Sequence, residues 1–181
     1  MKFTLTAAFI STVLLSVTAL AEPEAARLHP KRRTTAGFPA LPLLRAYSPS
    51  AMDHFYTTNA TEMKNAVTNL GYRQENNAAT VHSDQTPITI PLYRLYSPSV
   101  TDHFYTTNAT EKDNAVNNLR YRDEGIVAYV YETQAFGTVP LYRMYSPSVT
   151  DHFYTTNATE KDNAVTNLRY RDEGIAAYVN L

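Results

Sequence analysis

Residues 99–111 read SVTDHFYTTNATE, and the same string returns at 148–160. A close copy, SAMDHFYTTNATE, occupies residues 50–62, so the spacing is 49 residues each time. Units beginning at Pro42, Pro91 and Pro140 span residues 42–90, 91–139 and 140–181. A repeat of this length is too small to bury its own apolar face, so its packing against its neighbours decides the fold.

The three units have not diverged equally. Units 2 and 3 agree at 37 of 42 compared positions, whereas units 1 and 2 agree at only 27 of 42. The sequence of unit 1 has therefore diverged the most, and the residues that it retains indicate which positions the repeat requires. It departs most at residues 74–77, where Gln-Glu-Asn-Asn replaces the Asp-Glu-Gly-Ile of residues 123–126.

Each unit predicts two strands, a helix and a further strand. In unit 2, residues 91–97 and 103–107 are rich in aromatic and β-branched residues and predict a hairpin. Asn108 followed by Glu111 is typical of a capping box, and Ala115, Val116 and Leu119 follow at helical spacing. Residues 121–131 then predict one or two more strands around a glycine.

The fold class predicted is a β-rich α+β domain of three 49-residue β-β-α-β repeats closed on a pseudo-threefold axis. Such a trefoil-like or small propeller-like ring avoids the exposed strand edges of an open array. Residues 34–42 resemble the linker at 133–140, and unit 3 ends without such a linker. Residues 34–41 are therefore predicted to act as a closing strand for the final unit.

The residues before the repeats are typical of a secreted protein. Residues 1–21 predict a signal peptide that ends in Ala19-Leu20-Ala21, and residues 22–33 predict a pro-segment or flexible leader. The repeat domain would then be residues 34–181, extracellular, with no membrane span after processing. Its charge would be −4, from 16 − 5 = 11 basic and 17 − 2 = 15 acidic residues. This balance disfavours nucleic acid as a partner, and the absence of cysteine excludes disulfide bonds.

The repeated Asp-His pair raises the question of catalysis or metal binding. Asp102 and His103 are neighbours on a predicted strand, so their side chains point to opposite faces and cannot form a dyad with each other. The residues of an active site also have distinct roles, such as nucleophile, base and charge stabiliser, whereas the same Asp-His segment recurs in all three units. The spacing of known metal sites is absent, although His54, His103 and His152 are the residues that a metal would use. We expect no enzyme activity, no metal and no cofactor.

A structural role is one interpretation of the repeated polar residues. A half-buried aspartate needs a partner, and an arginine of the same unit can supply it. The predicted ion pairs are Arg45–Asp53, Arg94–Asp102 and Arg143–Asp151, with Arg122 as the alternative partner in unit 2.

The other strand face carries the candidate ligand-binding residues, which are His54, Tyr56, His103, Tyr105, His152 and Tyr154. An aromatic and polar strip of this kind is what a sugar-binding module presents to its ligand. The alternative is that these rings pack against the helix or a neighbouring unit. Asn59, Asn108 and Asn157 begin Asn-Ala-Thr triplets and are candidate N-glycosylation sites.

The string PLYRLYSPSVTDHFYTTNATEKDNAV, followed by YRDEGIVAYVY, resembles domain-of-unknown-function family 5648, a secreted repeat family of fungi and bacteria. The resemblance covers essentially the whole mature chain. It implies a targeting or binding role, because such repeats occur alone or beside secreted hydrolase domains. It carries over no catalytic residue, and unit 1 departs from the pattern in its last strand.

The function predicted from sequence is multivalent binding of a carbohydrate or another cell-surface component, without enzymatic activity and in the manner of a lectin. The alternative is a secreted structural or effector-like protein that binds another protein. A hydrolase with a site on the ring axis is a third possibility. Surface pockets lined by the triplicated residues would favour the first.

We expect the mature protein to begin near Thr34, because a small-residue cleavage site is followed by the basic cluster Lys31-Arg32-Arg33. N-terminal sequencing of secreted material checks this expectation. A mature terminus at Met1 or Glu22 would contradict one or both cleavages.

Overall fold

The computed structural model describes residues 39–135 and 137–181. The predicted signal peptide and leader, and residues 34–38 of the predicted closing strand, lie outside these residues. Within them, no helix has the length and apolar character needed to cross a membrane.

Unit 1 begins with a hairpin and a helix, as predicted. Its elements are β1 (Ala40–Ser48), β2 (Asp53–Thr57), α1 (Ala60–Asn69), β3 (Arg73–Gln74) and β4 (Ala79–His82). Units 2 and 3 have one long last strand instead of two short ones. Their elements are β5 (Ile90–Ser97), β6 (Asp102–Thr106), α2 (Ala109–Leu119), β7 (Arg122–Val130), β8 (Val139–Ser146), β9 (Asp151–Thr155), α3 (Ala158–Asn167) and β10 (Arg171–Val179).

The drifted segment explains why the last strand of unit 1 is broken. Strand β7 passes through an irregularity near Gly125, which has φ +86° and donates its backbone N–H to Asp123 at 2.8 Å. The corresponding residue in unit 1 is Asn76, which adopts this left-handed conformation less readily. The strand therefore divides into β3 and β4.

The β-rich architecture predicted from the sequence is confirmed, since residues 39–135 and 137–181 form two antiparallel sheets and three helices. The larger sheet has seven strands in the order β2-β1-β4-β7-β5-β6, with β3 also paired to β1. The smaller sheet has three strands in the order β10-β8-β9. Among the described residues, strand pairing closes no barrel. Two isolated bridges connect the last strands of different units, Thr80 to Asn180 and Tyr131 to Tyr178.

The closing-strand prediction is wrong for the part that the structure describes. Ala40 and Leu41 pair with His82 and Val81 of β4, in unit 1 itself, and not with the final unit. The reason is that these residues simply extend β1, whose free edge lies beside β4. The bridge between Thr80 and Asn180 provides the contact with the final unit instead.

The helices begin at the predicted asparagines, but the capping box is only half formed. The Asn59 side chain accepts hydrogen bonds from the N–H groups of Thr61 and Glu62, as an N-cap residue does. Glu62 does not reach back to the Asn59 backbone. Its carboxylate accepts from the hydroxyl of Thr57, while the Asn59 N–H donates to the same hydroxyl. The Glu62 carboxylate is therefore available for a contact outside its helix.

The centre of the protein is built from a ring of three buried tyrosines, Tyr56, Tyr105 and Tyr154. Each is about 1% exposed, and their rings meet edge to face with centroids 5.3–5.5 Å apart. Each hydroxyl donates to the backbone carbonyl of the tyrosine in the preceding unit and accepts from its N–H, at 2.7–2.9 Å, and Tyr56 of unit 1 is bonded in this way to Tyr154 of unit 3. The ring thus satisfies buried backbone groups of β2, β6 and β9, one strand from each unit.

We expect Tyr105→Phe to destabilise the protein by about 2–4 kcal/mol, because it leaves the buried N–H and C=O of Tyr56 without a partner. Chemical denaturation measures the loss. Tyr129→Phe is the matched control, since its ring is half-buried and its hydroxyl makes no hydrogen bond among the described residues. Equal stability of the two variants would contradict a structural role for the tyrosine ring.

Candidate functional site

The Asp-His pairs that prompted the question of catalysis connect different units. The Asp53 carboxylate accepts from the backbone N–H of His103 at 2.8 Å and contacts its Nδ1 at 2.7 Å. The same contacts recur between Asp102 and His152 and between Asp151 and His54. The histidine thus binds the aspartate of the preceding unit, and the last of the three links joins unit 3 back to unit 1.

The three aspartates form a closely spaced and fully buried cluster. Their carboxylate oxygens lie within 4.8 Å of one another, and each residue is 0% exposed. Each carboxylate also accepts a hydrogen bond from a tyrosine hydroxyl of its own unit, namely Tyr72, Tyr121 or Tyr170. Burial beside these carboxylates raises the pKa of each tyrosine, so the hydroxyls keep their protons. The acceptor oxygens are thus occupied by protein donors, which fits a structural role.

The predicted ion pairs within a unit are wrong. Arg94 does not pair with Asp102, and Arg45 and Arg143 likewise do not pair with Asp53 and Asp151. The aspartates face the next unit, so the arginines meet glutamates instead. Arg94 donates two hydrogen bonds to Glu62 of unit 1, at 2.8 and 2.9 Å, and its Nε lies 2.7 Å from Glu124. The equivalent pairs join Arg143 to Glu111 and Glu173, and Arg45 to Glu160 and Glu75.

The surface strip predicted from the sequence is not a surface. Tyr56, Tyr105 and Tyr154 belong to the buried central ring and cannot stack on an external sugar. The side chains of His54, His103 and His152 are only 11–13% exposed and contact the neighbouring unit through Nδ1. The alternative interpretation, that these rings pack against a neighbouring unit, is the one that the structure supports.

In the part of the chain that the structure describes, an equivalent surface cleft lies at each of the three junctions between units. We call them the 1/2 cleft, the 2/3 cleft and the 3/1 cleft, after the units that they join. Nine lining positions are occupied by the same residue types in all three. In the 1/2 cleft these are Phe55, Glu62, Asn65, Ala66, Leu70, Tyr72, Arg94, His103 and Glu124. In the 2/3 cleft they are Phe104, Glu111, Asn114, Ala115, Leu119, Tyr121, Arg143, His152 and Glu173, and in the 3/1 cleft they are Phe153, Glu160, Asn163, Ala164, Leu168, Tyr170, Arg45, His54 and Glu75.

The walls of each cleft are aromatic and charged. In the 1/2 cleft, the Arg94 guanidinium lies 5.4 Å from the centroid of the Phe55 ring, which also meets His103 edge to face. Burial alone would raise the pKa of Glu62, but hydrogen bonds from Arg94 and Thr57 lower it below its ordinary value. The ion pair therefore stabilises the junction at neutral pH, and this contribution is lost as the pH falls through that lowered pKa.

Of the nine cleft positions, the sequence predicted only the histidine as a binding candidate and only the arginine as an ion-pair partner. Two of the others, Asn65 and Leu70, have no core role that would have drawn attention to them. Asn65 is exposed, and its side chain accepts a hydrogen bond from Asn69 one helical turn away. Leu70 is 59% exposed, although Leu119, its equivalent, was predicted to lie on the apolar face of the helix. Both residues recur in all three units, including the drifted unit 1. Exposed side chains contribute little to the stability of the fold, so their retention in all three units was the signal that could have identified the clefts.

The three sequon asparagines are exposed N-cap residues. Each uses Oδ1 to accept two helical N–H groups, as the Asn59 side chain does at 2.9 and 3.2 Å. This hydrogen bonding leaves Nδ2 free to carry a glycan, so glycosylation of Asn59, Asn108 and Asn157 stays a prediction.

The side-chain pairs seen in the structure predict which two substitutions should have coupled effects on the free energy of unfolding. Asp102→Ala should cost about 3–5 kcal/mol, because it removes one member of a buried pair. In a double-mutant cycle measured by chemical denaturation, Asp102→Ala and His152→Ala should be non-additive. Arg94→Ala and Asp102→Ala share no partner and should add to within about 0.5 kcal/mol. Coupling in the second cycle but not the first would contradict the assignment.

The family of the chain follows from its sequence. No curated protein and no solved structure matches it. The model of the family described as "Domain of unknown function (DUF5648)" matches residues 42–180, which include every residue of the clefts described above. The chain belongs to this family.

Proposed function

We propose that this protein is an extracellular, non-enzymatic module that binds glycans of a cell surface through its three junction clefts. The observation that carries the proposal is the identity of nine lining positions in all three clefts. Unit 1 differs from unit 2 at 42 − 27 = 15 compared positions, yet it keeps all nine of its contributions. The chemistry of the clefts fits a sugar. Their aromatic wall can contact the apolar face of a sugar ring, and the nearby amide and carboxylate groups can form hydrogen bonds with its hydroxyls.

The proposal includes an arrangement of the three units about a pseudo-threefold axis. The Asp-His pairs, the Arg-Glu pairs and the tyrosine hydrogen bonds each join unit 1 with unit 2, unit 2 with unit 3, and unit 3 with unit 1. Equivalent contacts repeated in a cycle support such an axis. The clefts would then face outwards around it, and weak binding at each could add up to high avidity on a polyvalent surface.

A binding role is favoured over hydrolysis by what occupies the centre of the protein. A hydrolase site on the axis would need space there for a substrate, and the tyrosine ring fills it with hydrogen-bonded side chains. The aspartates nearby are occupied by donors from the protein itself. The clefts lie at the surface, and the predicted signal peptide would deliver them outside the cell.

The triple change of Asn65, Asn114 and Asn163 to Ala tests the proposal. These side chains are exposed and line the three clefts, so we expect thermal stability to be unchanged and avidity for a glycan-coated surface to fall by about tenfold or more. A glycan array identifies the surface, and surface plasmon resonance measures the avidity.

The chain offers a matched control for this experiment. Asn69, Asn118 and Asn167 donate to those three asparagines at 2.8 Å but do not line the clefts. Changing them to Ala removes the same hydrogen bonds and should leave avidity intact. Equal losses in the two triple variants would contradict binding in the clefts, and a silent glycan array would contradict the glycan itself.

A further inference from the structure

The three junction clefts are unequal in size. The 1/2 cleft has a volume of about 400 Å³, whereas the 2/3 and 3/1 clefts have about 170 Å³ each. Ligand-binding clefts in proteins usually measure about 300–1,000 Å³. Of these three clefts, the 1/2 cleft is the one within that range.

The additional lining of the 1/2 cleft lies at two turns, the one between β1 and β2 and the one between β5 and β6. Five further residues line the 1/2 cleft there: Ser48, Ser50, Ala51, Tyr96 and Thr101. The equivalent residues beside the 2/3 cleft are Ser97, Ser99, Val100, Tyr145 and Thr150. With the nine shared positions, thirteen of the fourteen lining positions of the 1/2 cleft are therefore the same in both, and only Ala51 differs, as Val100.

The 1/2 cleft has an alanine, Ala51, where the other two junctions have Val100 and Val149. The valine side chain has two more carbon atoms than that of alanine, and the lining of the 2/3 and 3/1 clefts does not extend to Val100 or Val149. At the 3/1 cleft a second difference adds to this, because Met52 replaces the threonine found at Thr101. The larger cleft thus coincides with the alanine of unit 1, while the nine shared positions are the same in all three clefts.

The chemistry of the enlarged cleft favours an uncharged ligand with hydroxyl groups. Ser50 and Thr101 add hydroxyls, and Tyr96 adds an aromatic ring to the wall formed by Phe55. The charged groups on the Arg94 side of the cleft are two carboxylates and one guanidinium, a net charge of −1. The guanidinium is already bound by both carboxylates, so an anionic ligand would meet repulsion without a free cation to pair with.

We infer that the 1/2 cleft is the principal binding site, that it takes a short neutral oligosaccharide, and that Ala51 determines its capacity. The 2/3 and 3/1 clefts are weaker sites that contribute through avidity. This inference rests on the proposed glycan-binding function. It adds which cleft is the main site, that the ligand is uncharged, and which residue makes that cleft bind more strongly than the other two.

Isothermal titration calorimetry of the full secreted chain tests the inference, with three tetrasaccharides as probes: cellotetraose, tetra-N-acetylchitotetraose and tetragalacturonic acid. We expect one neutral probe to bind with a stoichiometry of one tight site per chain, and the acidic probe not to bind. Ala51→Val should weaken the tight site about tenfold or more. Val100→Ala should enlarge the 2/3 cleft and raise the stoichiometry towards two.

Single asparagine variants provide an independent measurement that does not depend on the turn. Asn65→Ala should abolish the tight site, whereas Asn114→Ala and Asn163→Ala should leave it unchanged. Thermal unfolding of each variant checks that the fold is intact.

Three results would overturn the inference, and they differ in what else they overturn. Three equal sites that do not respond to Ala51→Val would reject the principal site but leave glycan binding in place. Tighter binding of tetragalacturonic acid would reject the neutral ligand alone. If neither the neutral nor the acidic probes bind and the glycan array is also silent, both the inference and the proposed function fail.

Discussion

A buried carboxylate must receive hydrogen-bond donors, and in this protein each unit depends on its neighbour to provide them. Asp53 is fully buried, yet its own unit supplies only the hydroxyl of Tyr72. The backbone N–H and the imidazole that complete its shell come from His103 in unit 2. The same dependence recurs from unit 2 to unit 3 and from unit 3 to unit 1. A unit on its own would hold an underpaired carboxylate, and such a group costs several kcal/mol.

The arginines show the same dependence closer to the surface. Arg94 bridges Glu62 of the preceding unit and Glu124 of its own, so a single guanidinium fixes two elements from different repeats. This contact explains a detail of the sequence. Unit 1 lost the residues around Glu75 but kept the glutamate itself, whose carboxylate lies 2.8 Å from the Nε of Arg45. The clefts lie where these bridges cross between units, so the residues of the ion pairs and the exposed cleft-lining residues occupy the same junction.

The features that could be predicted from sequence are the local ones. The hairpin, the asparagine-capped helix and the damaged last strand of unit 1 follow from side-chain pattern, N-cap chemistry and the loss of a glycine. The partners of Asp53 and Arg94 could not be predicted, because every unit offers the same residue types. Sequence patterns cannot tell an arginine that pairs within its unit from one that reaches a glutamate 32 residues away. The clefts were missed for the same reason, since each is assembled from two units.

The cyclic order of the contacts has a consequence for the order in which the protein can fold. During synthesis, Asp53 can meet His103 once unit 2 has emerged, but His54 must wait for Asp151, which lies 97 residues further along the chain. Arg45 waits longer still for Glu160, 115 residues away. Contacts of such long sequence separation form slowly. The first unit to be synthesised is therefore the last to be completed.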